Sequence, residues 1–423
     1  MSNKTTYKKK DKSIEVSKLK ITEDIYWVGY VDDRKVPFHR LTLENGTTYN
    51  SYLLETEKPT IIDTVDISFG KEYIDNLKRI IALEDIQYIV INHVEPDHSG
   101  GLPALASQAK DVTIVCTEKA VNKLKNMYRL HDRNFMVIKD GDKLDIGGKT
   151  LKFFETPYLH TEETMISYAI EDKILFPCDI FSSHVATSEL FNDLADTDIK
   201  PDFEVYYKLI MHPHRPYVQN MIDKIKSLDI KMIAPSHGYI IRENVQEFID
   251  TYDLLSRPND QNKKALIIYS TMSGNTRKIA KELRSGLEKE NIKVKSLNVS
   301  HGFDMKEIKK MVEGSDAIFF GSSTRYADLV GNLEDVLQNL KEVDLGGKLA
   351  VAFGSYGWSG EAVEIIQDYL NETNMKVIDS SYIIKSTGMD NYNFPIRVKF
   401  QPEEEKKEKI RDSARVVADL LVS

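Results

Sequence analysis

Cysteine and long apolar runs are both scarce in this chain of 423 residues. The two cysteines, Cys116 and Cys178, each lie inside a short apolar run and form no C-x-x-C pair. This excludes a rubredoxin-type iron site, and we expect both to be buried free thiols. Apolar runs such as 317–320 and 349–353 are far shorter than the roughly 20 residues of a membrane span. Residues 1–20 lack the apolar centre of a signal peptide, so we predict a cytoplasmic protein.

A deficit of basic side chains restricts the partners. Lys and Arg number 57 against 66 Asp and Glu, which gives a net charge of -9. Nucleic acids and anionic membrane surfaces bind basic faces. We therefore predict no nucleic-acid partner and no membrane partner.

Local composition divides the chain into two domains. Residues 1–20 are lysine-rich without apolar periodicity, and we predict a frayed tail. Residues 257–263, RPNDQNK, combine proline with polar residues and are the predicted linker. In the domain at 21–256, short β-prone segments dominate and helical segments flank them, which predicts two sheets covered by outer helices.

The second domain, 264–423, alternates strictly between predicted strands and helices. Such an alternation is typical of a doubly wound parallel sheet of the flavodoxin type. The predicted strands are 265–270, 294–299, 317–322, 349–355 and 376–384.

The densest cluster of polar side chains lies in residues 91–101, INHVEPDHSGG. Four potential metal ligands occur there within six residues, at the carboxyl end of a predicted strand at 86–93 and in the loop after it: His93, Glu95, Asp97 and His98. A solvated polar turn is the competing interpretation. The loop after a strand end can direct alternate side chains at one point, so we favour a metal site.

Three more candidate ligands follow other predicted strands, namely His160, Asp179 and His237. Four histidines and three carboxylates suit two metal ions with a bridging carboxylate. Because thiolates are absent from this set, iron, manganese or zinc fits better than a structural zinc site. Three further histidines, His184, His212 and His214, are candidates to line the site, and surface positions are the alternative.

A hydroxyl-rich loop between the first strand and helix of the second domain is a candidate phosphate site. It comprises Thr271, Met272, Ser273, Gly274, Asn275 and Thr276. Backbone N–H groups at a helix start bind anions. No lysine follows, so a nucleoside triphosphate is disfavoured and the monophosphate of FMN fits. A plain turn with a helix cap is the alternative.

Two later loops, also at predicted strand ends, carry aromatic residues between small ones. Aromatic side chains there can stack on a planar isoalloxazine ring. The candidates are Ser323, Thr324, Arg325, Tyr326 and Ala327 in one loop, and Ser355, Tyr356, Gly357, Trp358 and Gly360 in the other.

These motifs together resemble a known family. The first domain resembles the metallo-β-lactamase fold, an αββα sandwich whose hydrolases carry His-x-His-x-Asp-His, and here Glu95 stands at the second histidine. That replacement and the flavodoxin-like domain resemble the flavodiiron proteins, which reduce dioxygen to water or nitric oxide to nitrous oxide. The resemblance implies a diiron centre and FMN. It assigns His93, Glu95 and His160 to one iron, Asp97, His98 and His237 to the other, and Asp179 as the bridge.

We add a hypothesis of how the residues work, and the resemblance implies the electron donor and the oligomer. Asp179 would let both irons change charge together, and we expect Tyr206 or Tyr207 to give a hydrogen bond or a proton to the substrate. An external donor such as rubredoxin or a reduced deazaflavin would supply electrons. We expect a head-to-tail homodimer, or a dimer of dimers, in which FMN of one chain faces the irons of the other.

One segment departs from the family pattern. The family commonly has Trp-Pro-Asp-Ser after the histidine matched by His160, whereas this chain has Thr161, Glu162, Glu163 and Thr164. A competing hypothesis is therefore a metallo-β-lactamase-fold hydrolase with an accessory flavodoxin domain. Electron carriage alone, a third hypothesis, leaves the seven candidate ligands without a role.

Overall fold

The structure is a computed structural model that describes residues 19–35, 37–38, 41–257, 262–387 and 391–421. The chain divides into two compact units, Met1–Arg257 and Pro258–Ser423. Of the predicted tail, residues 1–18 lie outside the described residues, while Leu19 is buried in the core of the first unit. Of the predicted linker, 258–261 also lie outside them.

Two sheets form the first unit. The six-stranded sheet has the order β1-β6-β7-β8-β9-β10, the five-stranded sheet has the order β11-β12-β13-β14-β15, and β2 pairs with β5 and β3 with β4. The strands are β1 (Ile25–Trp27), β2 (Tyr30–Asp32), β3 (Pro37–Phe38), β4 (Leu41–Thr42), β5 (Thr47–Tyr49), β6 (Tyr52–Leu54), β7 (Thr60–Ile62), β8 (Tyr88–Val90), β9 (Thr113–Thr117), β10 (Asn134–Ile138), β11 (Lys143–Asp145), β12 (Thr150–Glu155), β13 (Met165–Ala169), β14 (Ile174–Phe176) and β15 (Met232–Ile233).

Helices cover the outer faces of these sheets. The α-helices are α1 (Gly70–Leu77), α2 (Pro96–Ser99), α3 (Leu102–Gln108), α4 (Glu118–Tyr128), α5 (Lys200–Tyr206), α6 (Arg215–Ile225) and α7 (Val245–Ser256). Shorter 3₁₀ turns span Ile67–Phe69, Leu83–Asp85, Asn192–Leu194 and His212–His214, and a π-helical turn spans Tyr207–Met211.

Alternation along the strands explains the layering, because successive strand residues point to opposite faces. In β9, Val115 packs between the two sheets, whereas Ile114 packs under the helices of the first sheet. In β12, Phe153 likewise faces the other sheet and Phe154 faces the helices of the second. The result is the predicted αββα sandwich, with the sheet-to-sheet core at its centre.

The second unit is a parallel sheet with the order β17-β16-β18-β19-β20, and β21 also pairs with β19. This order confirms the predicted flavodoxin-like fold. The strands are β16 (Lys264–Tyr269), β17 (Lys293–Asn298), β18 (Ala317–Ser323), β19 (Leu349–Tyr356), β20 (Lys376–Val377) and β21 (Ile396–Lys399). The helices are α8 (Asn275–Lys289), α9 (Met305–Glu313), α10 (Leu333–Leu340), α11 (Ala362–Asn371), α12 (Ser380–Thr387) and α13 (Glu404–Leu420).

The predicted last strand, 376–384, is wrong beyond Val377. The Asp379 side chain accepts a hydrogen bond from the Tyr382 N–H at 2.6 Å and caps α12. Local capping of this kind overrides the β-propensity of the residues that follow. β21 pairs with β19 along the same edge as β20, further towards the carboxyl end of β19. Two short strands, β20 and β21, therefore share the fifth position of the sheet.

Among the described residues, no helix is long and apolar enough to cross a membrane.

Candidate metal centre and cofactor loops

The motif at 91–101 changes from strand to helix within a few residues. β8 ends at Val90, the chain turns through His93 and Glu95, and α2 begins at Pro96. Asp97 and His98 lie in this single helical turn and are buried. The close change of direction brings four side chains of the motif to one edge of the first sheet.

The three other candidate ligands reach the same place from the second sheet. His160 follows β12, Asp179 follows β14 and His237 follows β15. The residue before Asp179, Cys178, has a φ of 55°, a strained value for a side chain other than glycine. Such backbone strain is common where a loop is held in shape for a functional site.

The first half of the metal centre consists of His93, Glu95, His160 and one oxygen of Asp179. Glu95 Oε2 lies 3.6 Å from the Nε2 atom of each histidine. Asp179 Oδ2 lies 3.8 Å from Nε2 of His93 and 3.4 Å from Nε2 of His160. Four ligand atoms therefore surround one point.

The second half consists of Asp97, His98, His237 and the other oxygen of Asp179. Asp97 Oδ2 lies 3.2 Å from His98 Nε2 and 3.3 Å from His237 Nε2. Asp179 Oδ1 lies 3.2 Å and 3.5 Å from the same two nitrogens. Asp179 thus directs one carboxylate oxygen into each half, as a bridging ligand does.

The seven side chains fit metal ions. Ligand atoms about 2.1 Å from one metal ion lie about 3.0 to 3.4 Å apart, close to the separations here. His93 Nε2, His98 Nε2 and Asp179 Oδ2 are buried and form no hydrogen bond within the described part of the chain. Buried polar atoms are rarely left so, unless a ligand takes up their lone pairs.

Mutual attraction keeps the carboxylates of the cluster ionised. Burial alone lowers the pKa of His93, but the nearby carboxylates of Glu163 and Glu95 outweigh it and raise the pKa to about 10. Burial alone raises the pKa of Asp179, but His98 and His160 outweigh it and hold the pKa well below its usual range. An ionised carboxylate is the form that binds a metal.

Neutral groups hold the imidazoles of the second half. His237 donates its Nδ1–H to the main-chain oxygen of Thr48 at 2.6 Å. Nδ1 of His98 lies 3.6 Å from Sγ of Cys178. Both cysteines are free and buried, as predicted. These contacts turn the Nε2 atoms towards the metal position.

A charged group, which the sequence did not reveal, holds one of the two imidazoles of the first half, that of His93. Nδ1 of His93 lies 3.0 Å from Oε1 of Glu163, whose other oxygen lies 2.7 Å from Nζ of Lys123. Thr161 also donates to Glu163 Oε1 at 2.6 Å. The segment that departs from the family pattern therefore supports a ligand. The available signal was that Glu163 stands at the family's aspartate.

The two candidate tyrosines have different surroundings. Tyr206 is buried at the end of α5 and donates its hydroxyl to Asp179 Oδ1 at 2.8 Å. Burial and Asp179 raise the pKa of Tyr206 well above its usual value, so the phenol keeps its proton. Tyr207 begins the π-helical turn and packs against the rings of Tyr252 and His212. Only Tyr206 of this pair contacts a candidate ligand in the described chain.

A cavity of about 180 Å³ lies beside Tyr206 and His184. The His184 ring packs 4.9 Å from the rings of both His237 and Tyr206, which places this histidine beside the candidate ligands. The cavity is lined by Leu43, Glu44, Asn45, His184, Asp202, Val205 and Tyr206. The ring of His214 lies 6.4 Å from that of His160, and His212 packs on Tyr207.

The candidate phosphate loop brings hydroxyl groups together at the start of α8. Thr276 Oγ1 lies 2.9 Å from the Oγ atoms of both Ser323 and Ser355, so side chains from the start of α8 and the ends of β18 and β19 meet there. The Gly274 N–H donates to Thr271 Oγ1 at 3.0 Å. With a φ of 83° and open space beside its Cα, Gly274 lets the chain turn sharply into the helix.

Large side chains in the three candidate segments are exposed. Met272, Tyr326 and Trp358 are respectively 61%, 88% and 93% exposed, which is unusual for large apolar residues that are close in sequence to a candidate site. The buried hydroxyl of Thr324 forms no hydrogen bond among the described residues. Hydroxyls and N–H groups beside exposed aromatic rings fit a phosphate joined to a planar ring system. The remaining candidates, Ser273, Asn275, Arg325, Ala327, Tyr356, Gly357 and Gly360, lie in the same three loops.

Two family models match the chain. The model described as ODP family beta lactamase matches residues 47–238, and the flavodoxin model matches residues 267–413. An uncharacterized protein of Methanocaldococcus jannaschii is 33% identical over 95% of this chain and 98% of its own length. The anaerobic nitric oxide reductase flavorubredoxin of Escherichia coli O1:K1 is 34% identical over 94% of this chain and 81% of its own length.

Solved structures are also similar to this chain over nearly its whole length. The flavodiiron protein from Giardia intestinalis is 28% identical with a TM-score of 0.56, over 95% of this chain and 96% of that one. The rubredoxin oxygen:oxidoreductase from Desulfovibrio gigas is 27% identical with a TM-score of 0.56, over 95% and 98% of the two chains.

Proposed function

The chain belongs to the flavodiiron protein family, and on that premise we propose how its own residues carry out the reaction. It is an oxidoreductase that uses FMN and a diiron centre to reduce dioxygen, nitric oxide or both. One observation supports the ligand assignment most directly: the two oxygens of Asp179 face two separate sets of ligands. We assign His93, Glu95 and His160 to one iron and Asp97, His98 and His237 to the other.

The composition of the ligand set favours iron redox chemistry over hydrolysis. Three carboxylates and four imidazoles form an oxygen and nitrogen shell that suits iron. In the hydrolases a histidine occupies the position of Glu95. In this chain the carboxylate of Glu95 adds negative charge that stabilises the ferric state of the iron. The competing hypothesis, a hydrolase with an accessory flavodoxin domain, is not favoured by the relatives.

The side chains around the irons orient ligands and hold protons. When bound, the two irons supply the site at which the gas takes up electrons. Tyr206 keeps its proton and directs its hydroxyl at Asp179 Oδ1. We propose that it donates a hydrogen bond or a proton to substrate beside that oxygen. We further propose that the cavity beside His184, whose ring packs on that of His237, admits small molecules towards the irons.

The second unit would hold FMN through three loops. We propose that the N–H groups of 271–276 and the hydroxyl of Thr276 bind the phosphate. Tyr326 and Trp358 would cover the isoalloxazine, since both rings are exposed without it. FMN accepts and releases electrons one or two at a time, so it can join an electron donor to the metal centre.

The external partner is a redox protein or a reduced cofactor. The Escherichia coli relative is named a nitric oxide reductase, and the Desulfovibrio gigas structure is named a rubredoxin oxygen:oxidoreductase. We propose both gases as substrates, and rubredoxin or a reduced deazaflavin as the donor. The cytoplasmic location stays a prediction from the sequence.

We propose a head-to-tail homodimer, or a dimer of two such dimers, in which FMN of one chain serves the irons of its partner. The two candidate sites lie in separate compact units, and a head-to-tail dimer can bring the FMN of one chain to the irons of the other. Light scattering across a dilution series, paired with turnover, tests this. Turnover should fall as the dimer dissociates, and full turnover by a monomer would contradict the proposal.

Anaerobic stopped-flow reoxidation tests the function. The fully reduced protein is mixed with dioxygen or nitric oxide while the flavin spectrum is followed. We expect fast flavin reoxidation by at least one gas, in protein that contains two irons and one FMN per chain. Full zinc occupancy, ester or lactone hydrolysis and no gas consumption would contradict it.

A further inference from the structure

The buried carboxylate of Glu163 has no part in the reaction described so far. The residue is 2% exposed, and a charge so deeply buried needs strong partners. Its Oε1 accepts from Thr161 at 2.6 Å and lies 3.0 Å from His93 Nδ1. Because a carboxylate only accepts, the Nδ1–H of His93 is the donor, and Nε2 is left for the metal.

A lysine from the protein surface neutralises this carboxylate. Lys123 lies on α4, its side chain is 36% exposed, and its Nζ approaches Glu163 Oε2 to 2.7 Å. The same Nζ lies 3.2 Å from Oε1 of the exposed Glu162. A continuous line of charged and polar contacts therefore joins a surface cation to a candidate iron ligand.

We propose that Lys123 and Glu163 are positioning residues that set the electron-donating strength of His93, and with it the reduction potential of the first iron. An ionised Glu163 draws the Nδ1 proton of His93 and makes the imidazole a stronger donor, which favours ferric iron. Lys123 weakens that effect by neutralising the carboxylate and adds its own positive charge. The cation therefore raises the potential, and the carboxylate lowers it.

The second half of the centre shows why this device is specific to one iron. Its imidazoles contact the Thr48 carbonyl and the Cys178 thiol, which carry no net charge. The charged line thus gives the two irons different potentials. This inference rests on the proposed ligand assignment.

Two variants with opposite expected effects test the proposal. Lys123→Met keeps the length of the side chain but removes the charge, and we expect a lower potential for the first iron. Glu163→Gln keeps an oxygen acceptor but removes the negative charge, and we expect a higher potential. Potentiometric titration followed by electron paramagnetic resonance at pH 7.5 measures both, with iron content determined on the same samples.

Lys119→Met is the matched control. Lys119 lies one turn earlier on α4 and pairs with Glu162 at 3.5 Å instead of Glu163. Lys119→Met changes the net charge of the protein as much as Lys123→Met does. Because Lys119 pairs with Glu162 instead of Glu163, we expect a much smaller shift in the reduction potential of the first iron. Equal shifts in both lysine variants, or no shift in Lys123→Met, would overturn the proposal even if Glu163→Gln failed to fold. Wild-type protein without two irons per chain would instead contradict the ligand assignment.

Discussion

The two halves of the metal centre have similar ligands but different surroundings. In the first half, the side chains of Glu95 and His160 are 30% and 15% exposed. In the second half, Asp97, His98 and His237 are at most 6% exposed. The first half is also supported by the charged Glu163, and the second half by neutral groups.

The difference indicates a division of roles. A buried site with neutral support changes little when the surroundings change, so the second half is suited to holding its metal. A site that is partly exposed and supported by charge is sensitive to substitution and to solvent. We therefore expect the first half to control metal identity and potential. The predictions below test this division.

Loss of Asp179 should abolish the difference between the halves, because this residue supplies an oxygen to each. In Asp179→Ala we expect both irons to be lost, and with them gas reduction. Iron content by mass spectrometry and oxygen consumption measure the two effects. Asp223→Ala, which changes an exposed aspartate on α6, is the control and should keep two irons. Two tightly bound irons in Asp179→Ala would refute the bridging role.

Replacing Glu95 should change the first half alone. Glu95→His restores the hydrolase pattern and removes one negative charge from that metal. We expect zinc to replace iron there and gas reduction to be lost, while the second half keeps its metal. Metal analysis after growth with both metals checks this. If the variant kept iron in both halves and reduced the gases, Glu95 would not discriminate between the two chemistries.

Tyr206 tests whether the second half only holds metal, since its hydroxyl contacts the Asp179 oxygen that faces that half. In Tyr206→Phe we expect turnover to fall about 100-fold, the lower range for loss of a positioned proton donor, with both irons retained. Tyr207→Phe changes a neighbouring phenol without a described ligand contact and should stay near wild type. Similar losses in both variants would indicate a packing effect instead.

The smallest expected effect is a difference between the halves in the rate at which a chelator removes the metal. The more exposed first half should lose its metal faster when a chelator is added to the reduced protein. We expect two kinetic phases of equal amplitude that differ about 10-fold in rate, the lower end of the effect of altered ligand support. Optical detection of the chelator complex measures both phases. A single phase releasing both irons would show that the exposed ligands do not limit release.

All seven candidate ligands could be predicted because each follows a strand, and strand ends meet at one edge of the fold. Glu163 and Lys123 could not be predicted as partners. Their contact brings α4 against the loop after His160, and no spacing rule relates the two segments. The sequence also did not predict that two short strands, β20 and β21, share the fifth position of the second sheet. The hydrogen bond of Asp379 starts a helix in a segment whose sequence otherwise favours a strand.

The candidate flavin loops also show which contacts the sequence alone does not predict. The phosphate loop is readable as a motif, since hydroxyls precede a helix. The meeting of Thr276 with Ser323 and Ser355 depends on how three parallel strands align. Sequence therefore predicts which loops bind, and the sheet register determines which atoms meet.

The most direct test of the two-half account is Mössbauer spectroscopy of protein reconstituted with ⁵⁷Fe. The account predicts two ferrous quadrupole doublets of equal area in the reduced protein, both converting to ferric signals on exposure to gas. In Lys123→Met one doublet should change while the other stays constant. A single doublet in the wild-type protein, or an equal change of both in the variant, would contradict the account.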